Sequence, residues 1–135
     1  MPRFRQYIIC IKRYGAIAMH HSCGAVSDLI PDMIERRLDV LQSIQPEASG
    51  MNIKELSEKF GSNISFHGGI SIQKTMPFGS PDEVKNEVAK VSELFRDRVG
   101  YIFFFCTAHN IQADTPVKNI IALMEAYHEF GISGQ

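Results

Sequence analysis

An excess of charge of either sign is what this sequence lacks most plainly: 14 Lys and Arg stand against 15 Asp and Glu, a formal net charge of −1. Binding to nucleic acid or to an anionic membrane surface needs a basic excess to neutralise phosphates, so the balance argues against both partners. No apolar run approaches the roughly 18–20 residues that cross a bilayer. The start, Met1-Pro2-Arg3-Phe4-Arg5, is not followed by the h-region of a secretory leader. Tryptophan is absent, and three cysteines make an odd, scattered set, too few for a disulfide framework. Free thiols in a reducing cytoplasm are the expectation. Hydrophobic residues at 44% and charged residues at 21% are ordinary for a packed globular chain, which argues against disorder. A length of 135 residues suits one domain, spanning 1–135.

What is there alternates between two kinds of segment. Short β-branched or aromatic runs occupy 16–21, 39–44, 64–70 and 101–106. Each is followed by a stretch with helical spacing and helix punctuation. Ser80-Pro81-Asp82-Glu83 is a capping box with proline at the first helical position. Asn52 is placed to cap a helix over Ile53–Phe60, with Glu55 in its first turn and Gly61 as its stop. Thr115-Pro116 opens Val117–Phe130, and Gly131 closes it. Pro31 starts or kinks a helix through Met33, Ile34 and Arg37. An opening helix over 3–14 sets Phe4, Tyr7, Ile8 and Ile11 on one face and stops at Gly15.

Successive strands begin roughly 23–37 residues apart, as right-handed βαβ crossovers require. The strands are almost uniformly apolar, as when both faces are covered. The expected class is α/β, with parallel strands alternating with helices. Four such units are an awkward number, because a closed barrel of eight strands takes about 250 residues. An open doubly wound sheet usually carries a Gly-rich phosphate loop after its first strand. Here that strand ends in His20-His21-Ser22-Cys23-Gly24, which lacks the pattern, and Gly68-Gly69 is too short to supply it.

Nearly all the reactive side chains fall at the carboxyl ends of the strands: His21 and Cys23, Gln45 and Glu47, His67, then Cys106 and His109. That edge is where parallel α/β proteins gather their functional groups. Residues two apart on an extended segment point to the same side, so His21 and Cys23 converge. An imidazole and a thiolate together suit zinc, which takes N and S ligands tetrahedrally and activates a substrate at an open position. The plainer reading is a His and a Cys packed in a core. Met33, Met51, Met76 and Met124 read as core filler. Glu35-Arg36-Arg37 and the charges over 54–59 read as solvated helix faces. Cys10 is expected in the core, His128 at the favourable end of the last helix, and His20 on the strand face opposite His21.

These residues also carry a resemblance. His21-Ser22-Cys23-Gly24, Leu29-Ile30-Pro31-Asp32-Met33-Ile34-Glu35 and Asp39-Val40-Leu41-Gln42-Ser43-Ile44-Gln45 resemble the uroporphyrinogen decarboxylase superfamily. So do Phe66-His67-Gly68-Gly69-Ile70, Pro77-Phe78-Gly79-Ser80-Pro81-Asp82-Glu83-Val84 and His109-Asn110-Ile111-Gln112-Ala113-Asp114-Thr115-Pro116. The superfamily includes the decarboxylase of haem biosynthesis and zinc-dependent methyltransferases that work with corrinoid proteins. The resemblance implies the C-terminal half of a (β/α)8 TIM barrel, the strands here being its fifth to eighth. It implies that His21 and Cys23 are metal ligands, with Cys106 the nearest candidate for the third and His109 the alternative.

Three functions follow as expectations. The first is methyl transfer: zinc on His21, Cys23 and a third ligand binds a substrate thiol, which takes a methyl group from a corrinoid on a partner protein, while His67 and Gln45 line the pocket and orient the substrate. The second is metal-free decarboxylation of a porphyrinogen, with His109 as the substrate-contacting histidine and cationic groups supplied by another chain. The third is a non-catalytic half-barrel that completes itself as a homo-oligomer or with a complementary N-terminal half.

Overall fold

In the computed structural model, residues 2–95 and 103–130 are described. The chain opens with helix α1 (Pro2–Arg13), then strand β1 (Met19–His21). A single 3-10 turn (Ser27–Leu29) leads into α2 (Ile30–Glu35), followed by β2 (Val40–Ile44), α3 (Ile53–Phe60) and β3 (Ser65–Ile70). A short α4 (Thr75–Phe78), the long α5 (Pro81–Phe95), β4 (Phe103–Thr107) and α6 (Val117–Phe130) complete the order. Tyr101 and Ile102, expected to begin the fourth strand, and Gly131, expected to stop the last helix, lie outside the described residues.

The four strands form one sheet in the order β1-β2-β3-β4, and every neighbouring pair is parallel. Consecutive parallel strands joined by helices are the repeating unit of a (β/α) barrel, and this sheet is part of one. β1 and β4 are its outer strands among the described residues. Among those residues no helix is long and apolar enough to cross a membrane.

The helix boundaries follow the expected caps. Asn52 Oδ1 accepts from the Glu55 N–H at 3.2 Å. The Ser80 N–H donates to Glu83 Oε2 at 2.7 Å and the Glu83 N–H to Ser80 Oγ at 3.2 Å, both halves of the capping box. These bonds hold the Glu83 carboxyl below its ordinary pKa. The core lies between sheet and helices, built on Leu41, Ile44, Phe66 and Ile70 from the strands and Val84, Val88 and Leu123 from the helices. Met33, Met51 and Met76 are buried in it, but Met124 is exposed, on the outer side of α6.

Helix α1 departs most from expectation. Of the face that carries Phe4, Tyr7, Ile8 and Ile11 only Ile8 is buried, and Tyr7 is 69% exposed. Cys10 is exposed rather than in the core. The reason is position: α1 flanks β1, an outer strand, so little of the sheet lies beneath it. Tyr14, Ile17 and Met19 are exposed along the same border. The Phe4 ring meets His20 edge-on at 4.9 Å, which places His20 on the helix side of β1.

The sheet has one irregularity. β2 and β3 stay in register from Val40↔Ser65 to Gln42↔His67, then slip so that Ile44 faces Gly68. The backbones approach so closely there that a Cβ on Gly68 would sit 2.7 Å from the Ile44 nitrogen, and Gly68 has φ +122°. Glycine is the residue that fits both conditions. Gly68-Gly69 therefore serves strand packing.

Candidate metal site and its cavity

β1 ends on His21, and the chain turns at Gly24 with φ +85°. The Gly24 N–H donates to Gln45 Oε1 at 2.8 Å, which ties this turn to the end of β2. The turn brings Cys23 back over the strand tip, so that Cys23 Sγ lies 3.1 Å from His21 Nε2. From the opposite side of the sheet, the segment after β4 delivers His109. Its ring stands edge-on to that of His21 with centroids 5.9 Å apart. One ligand atom from each of His21, Cys23 and His109 falls within 4.8 Å of the others, and all three residues are exposed.

This donor set fits zinc. Ligand atoms around a tetrahedral zinc lie about 3.3–3.6 Å apart, given bonds of about 2.0–2.1 Å to nitrogen and 2.3 Å to sulfur. The His21–Cys23 pair is already closed to 3.1 Å. Drawing in His109 asks for about 1 Å of movement from an exposed side chain. Two imidazoles and a thiolate would fill three of the four positions of a tetrahedral zinc.

The site opens onto a cavity of about 570 Å³, within the ordinary range for small-molecule pockets. His21, Gln42, His67, Cys106, His109 and Ile111 contribute to its wall. No lysine or arginine lines it among the described residues. A porphyrinogen substrate, with its ring of carboxylates, would need such groups.

His67 lines the cavity from β3. Burial lowers its pKa, so the ring is held neutral. Cys106 lies against it, with Sγ 3.1 Å from Nδ1 and 3.5 Å from Nε2. Burial pushes the Cys106 thiol up to about 11. A neutral imidazole beside a protonated thiol is not the thiolate–imidazolium pair of an activated cysteine nucleophile. Of the two candidates for the third ligand, the structure brings His109 to the His21–Cys23 pair and sets Cys106 beside His67.

Gln45 and Glu47 take other positions. Gln45 is engaged by Gly24, outside the cavity wall. Glu47 Oε1 accepts from Ser71 Oγ, and the Ser71 N–H donates to Glu87 Oε1 at 3.1 Å. Burial raises the Glu87 pKa. Gln42 is the cavity residue that sequence reasoning passed over. Its amide lies between His21 Nδ1 at 3.4 Å and His67 Nδ1 at 3.3 Å. A polar side chain within a buried strand was the available signal, since such a group needs partners.

The sequence pattern of the family described as uroporphyrinogen decarboxylase (URO-D) matches residues 1–130. No match is found among curated proteins. The solved structure of a methyltransferase from Methanosarcina mazei superposes with a TM-score of 0.62 at 24% identity, covering 86% of this chain and 32% of that one. At that identity the likeness establishes a shared fold, and this chain spans about a third of that structure's length.

Proposed function

The chain belongs to the uroporphyrinogen decarboxylase (URO-D) family, and from that premise we propose that it carries the metal-binding part of a thiol methyltransferase. The ligands are His21, Cys23 and His109. Zinc held there would favour the thiolate form of a substrate thiol, the nucleophile that accepts a methyl group from a corrinoid on a partner protein.

The protein's own groups supply the rest. The cavity beside His21 admits a small molecule and, among the described residues, presents no fixed cation to a polyanion. His67, kept neutral by burial, adds no charge to that cavity, and the proton the thiol gives up would leave to solvent. Ile111 contributes an apolar part of the wall. Completion of the barrel by further strands at β1 and β4, from a second copy or a complementary half-barrel, would close the cavity on its remaining sides.

The observation that carries this reading is the approach of three metal-binding side chains from both ends of the sheet, two of them at 3.1 Å. Zinc content of the purified protein, measured by plasma mass spectrometry alongside its solution mass, tests it. About one zinc per chain is expected, with loss of the metal in the double variant His21→Ala/Cys23→Ala. Full retention of zinc by that variant refutes the reading.

A further inference from the structure

His21, Gln42 and His67 are register partners on three adjacent strands, His21↔Gln42 and Gln42↔His67. In a parallel sheet, such partners project from the same face, so the three side chains form one row across the strands. The amide of Gln42 spans the row, with Oε1 toward His21 Nδ1 at 3.4 Å and Nε2 toward His67 Nδ1 at 3.3 Å.

A carboxamide has two unlike ends: the oxygen only accepts and the nitrogen only donates. With Oε1 toward His21, that ring must carry its proton on Nδ1. Its Nε2 then keeps a lone pair, and Nε2 is the atom facing Cys23 Sγ. The Nδ1 of His67 faces two donors, the Gln42 amide at 3.3 Å and the protonated Cys106 thiol at 3.1 Å, so it accepts and the ring proton sits on Nε2. The amide thus sets one tautomer on His21 and, together with the Cys106 thiol, the opposite one on His67. Turned about, it would place the His21 proton on Nε2, where a metal must bind.

We propose that Gln42 is a positioning residue: it fixes the His21 tautomer that leaves Nε2 free for metal and ties that choice to the tautomer of His67. The part that concerns metal rests on the proposed zinc site, whereas the tautomer assignment does not. Outer partners of a metal-binding histidine typically change affinity by about 10–100-fold when removed.

The test uses three proteins, wild type, Gln42→Leu and Gln42→Glu, each checked for folding by circular dichroism. Nitrogen-15 NMR of the histidine rings in metal-free wild type should show His21 protonated on Nδ1 and His67 on Nε2. Gln42→Leu should lose the His21 preference and bind zinc about 10–100-fold more weakly in competition with a chromophoric chelator. Gln42→Glu keeps an acceptor for the His21 Nδ1–H, so it should retain the His21 tautomer and near wild-type affinity, while its second oxygen, also an acceptor, draws the His67 proton to Nδ1. A metal-free wild type with His21 protonated on Nε2 overturns the proposal. So does a folded Gln42→Leu protein with wild-type zinc affinity. If wild type itself binds no zinc, the metal site fails, and the two tautomers still decide the role of Gln42.

Discussion

Replacing Gly68 by alanine tests how the sheet places His67, because Gly68 follows it directly at the register slip. Two costs are readable from the geometry. An L side chain at φ +122° occupies backbone space that L residues rarely adopt, a strain of about 1–3 kcal/mol. The added Cβ would also lie 2.7 Å from the Ile44 nitrogen and 3.0 Å from its carbonyl oxygen. Both atoms are backbone in the sheet, so neither can swing aside, and overpacking of this kind costs about 1–3 kcal/mol more. The sum, about 2–6 kcal/mol, is a large part of the ~5–15 kcal/mol that holds a domain folded. Gly15 is the internal control: its φ is +71°, but nothing lies within 4 Å of an added Cβ. Gly15→Ala therefore carries strain without overlap, about 1–2 kcal/mol. Urea and thermal melts followed by far-UV circular dichroism compare the two. Gly68→Ala should be the less stable by about 1 kcal/mol or more, with a Tm at least several degrees lower. Equal stability of the two variants would refute the claim that close approach of β2 and β3 requires the glycine.

Asn119→Ala should destabilise the fold by about 2–4 kcal/mol in urea, because Asn119 is wholly buried and its Nδ2 donates to the carbonyls of Met76 at 2.9 Å and Gly79 at 2.8 Å, which would lose their partner. A loss under about 0.5 kcal/mol would show that those carbonyls find another donor. Cys106, with its thiol raised from 9.0 to about 11, holds roughly 100-fold less thiolate at pH 8 than an unperturbed thiol, so in metal-free protein its alkylation by iodoacetamide should be slower by about that factor. The same shift has a sign for stability: the folded state resists ionisation, so the contribution of this group is present below pH 9 and lost as pH rises toward 11. Mass spectrometry showing Cys106 modified as fast as a free peptide thiol would contradict the burial argument.

Local signals carried most of the architecture. Ser80 with Glu83, and Asn52 with Glu55, place two helix starts because each cap is a bond between residues three apart. The parallel sheet follows from apolar strands separated by helical stretches, a pattern set by burial on both faces. The short α4 has no such signal: it is a single turn, held from a distance by Asn119. The misreading of α1 has the opposite cause. Its apolar spacing is genuine, but spacing reports which residues share a face and not whether anything covers that face. At an outer strand the answer depends on what lies beyond β1, and Tyr7 and Ile11 stay exposed.

The site was legible along the chain and obscure across it. His21 and Cys23 are two positions apart, and the turn at Gly24 just beyond them closes the pair to 3.1 Å, so it is a local result. Gln45 has the same side-chain chemistry as Gln42 and lies nearer the carboxyl end of its strand, which made it the obvious candidate. What separates them is lateral register. Gln42 stands opposite both His21 and His67, whereas Gln45 lies past the slip at Ile44 and turns to the Gly24 amide. The hydrophobic pattern of a strand says which face a residue takes, but which residues stand beside it on the neighbouring strands is a long-range pairing that spacing within one strand does not encode. A polar residue in the middle of a buried parallel strand is therefore best judged by what stands beside it on the neighbouring strands. In this sheet the neighbours of Gln42 are two histidines, and a carboxamide between two imidazoles constrains which nitrogens are left to bind.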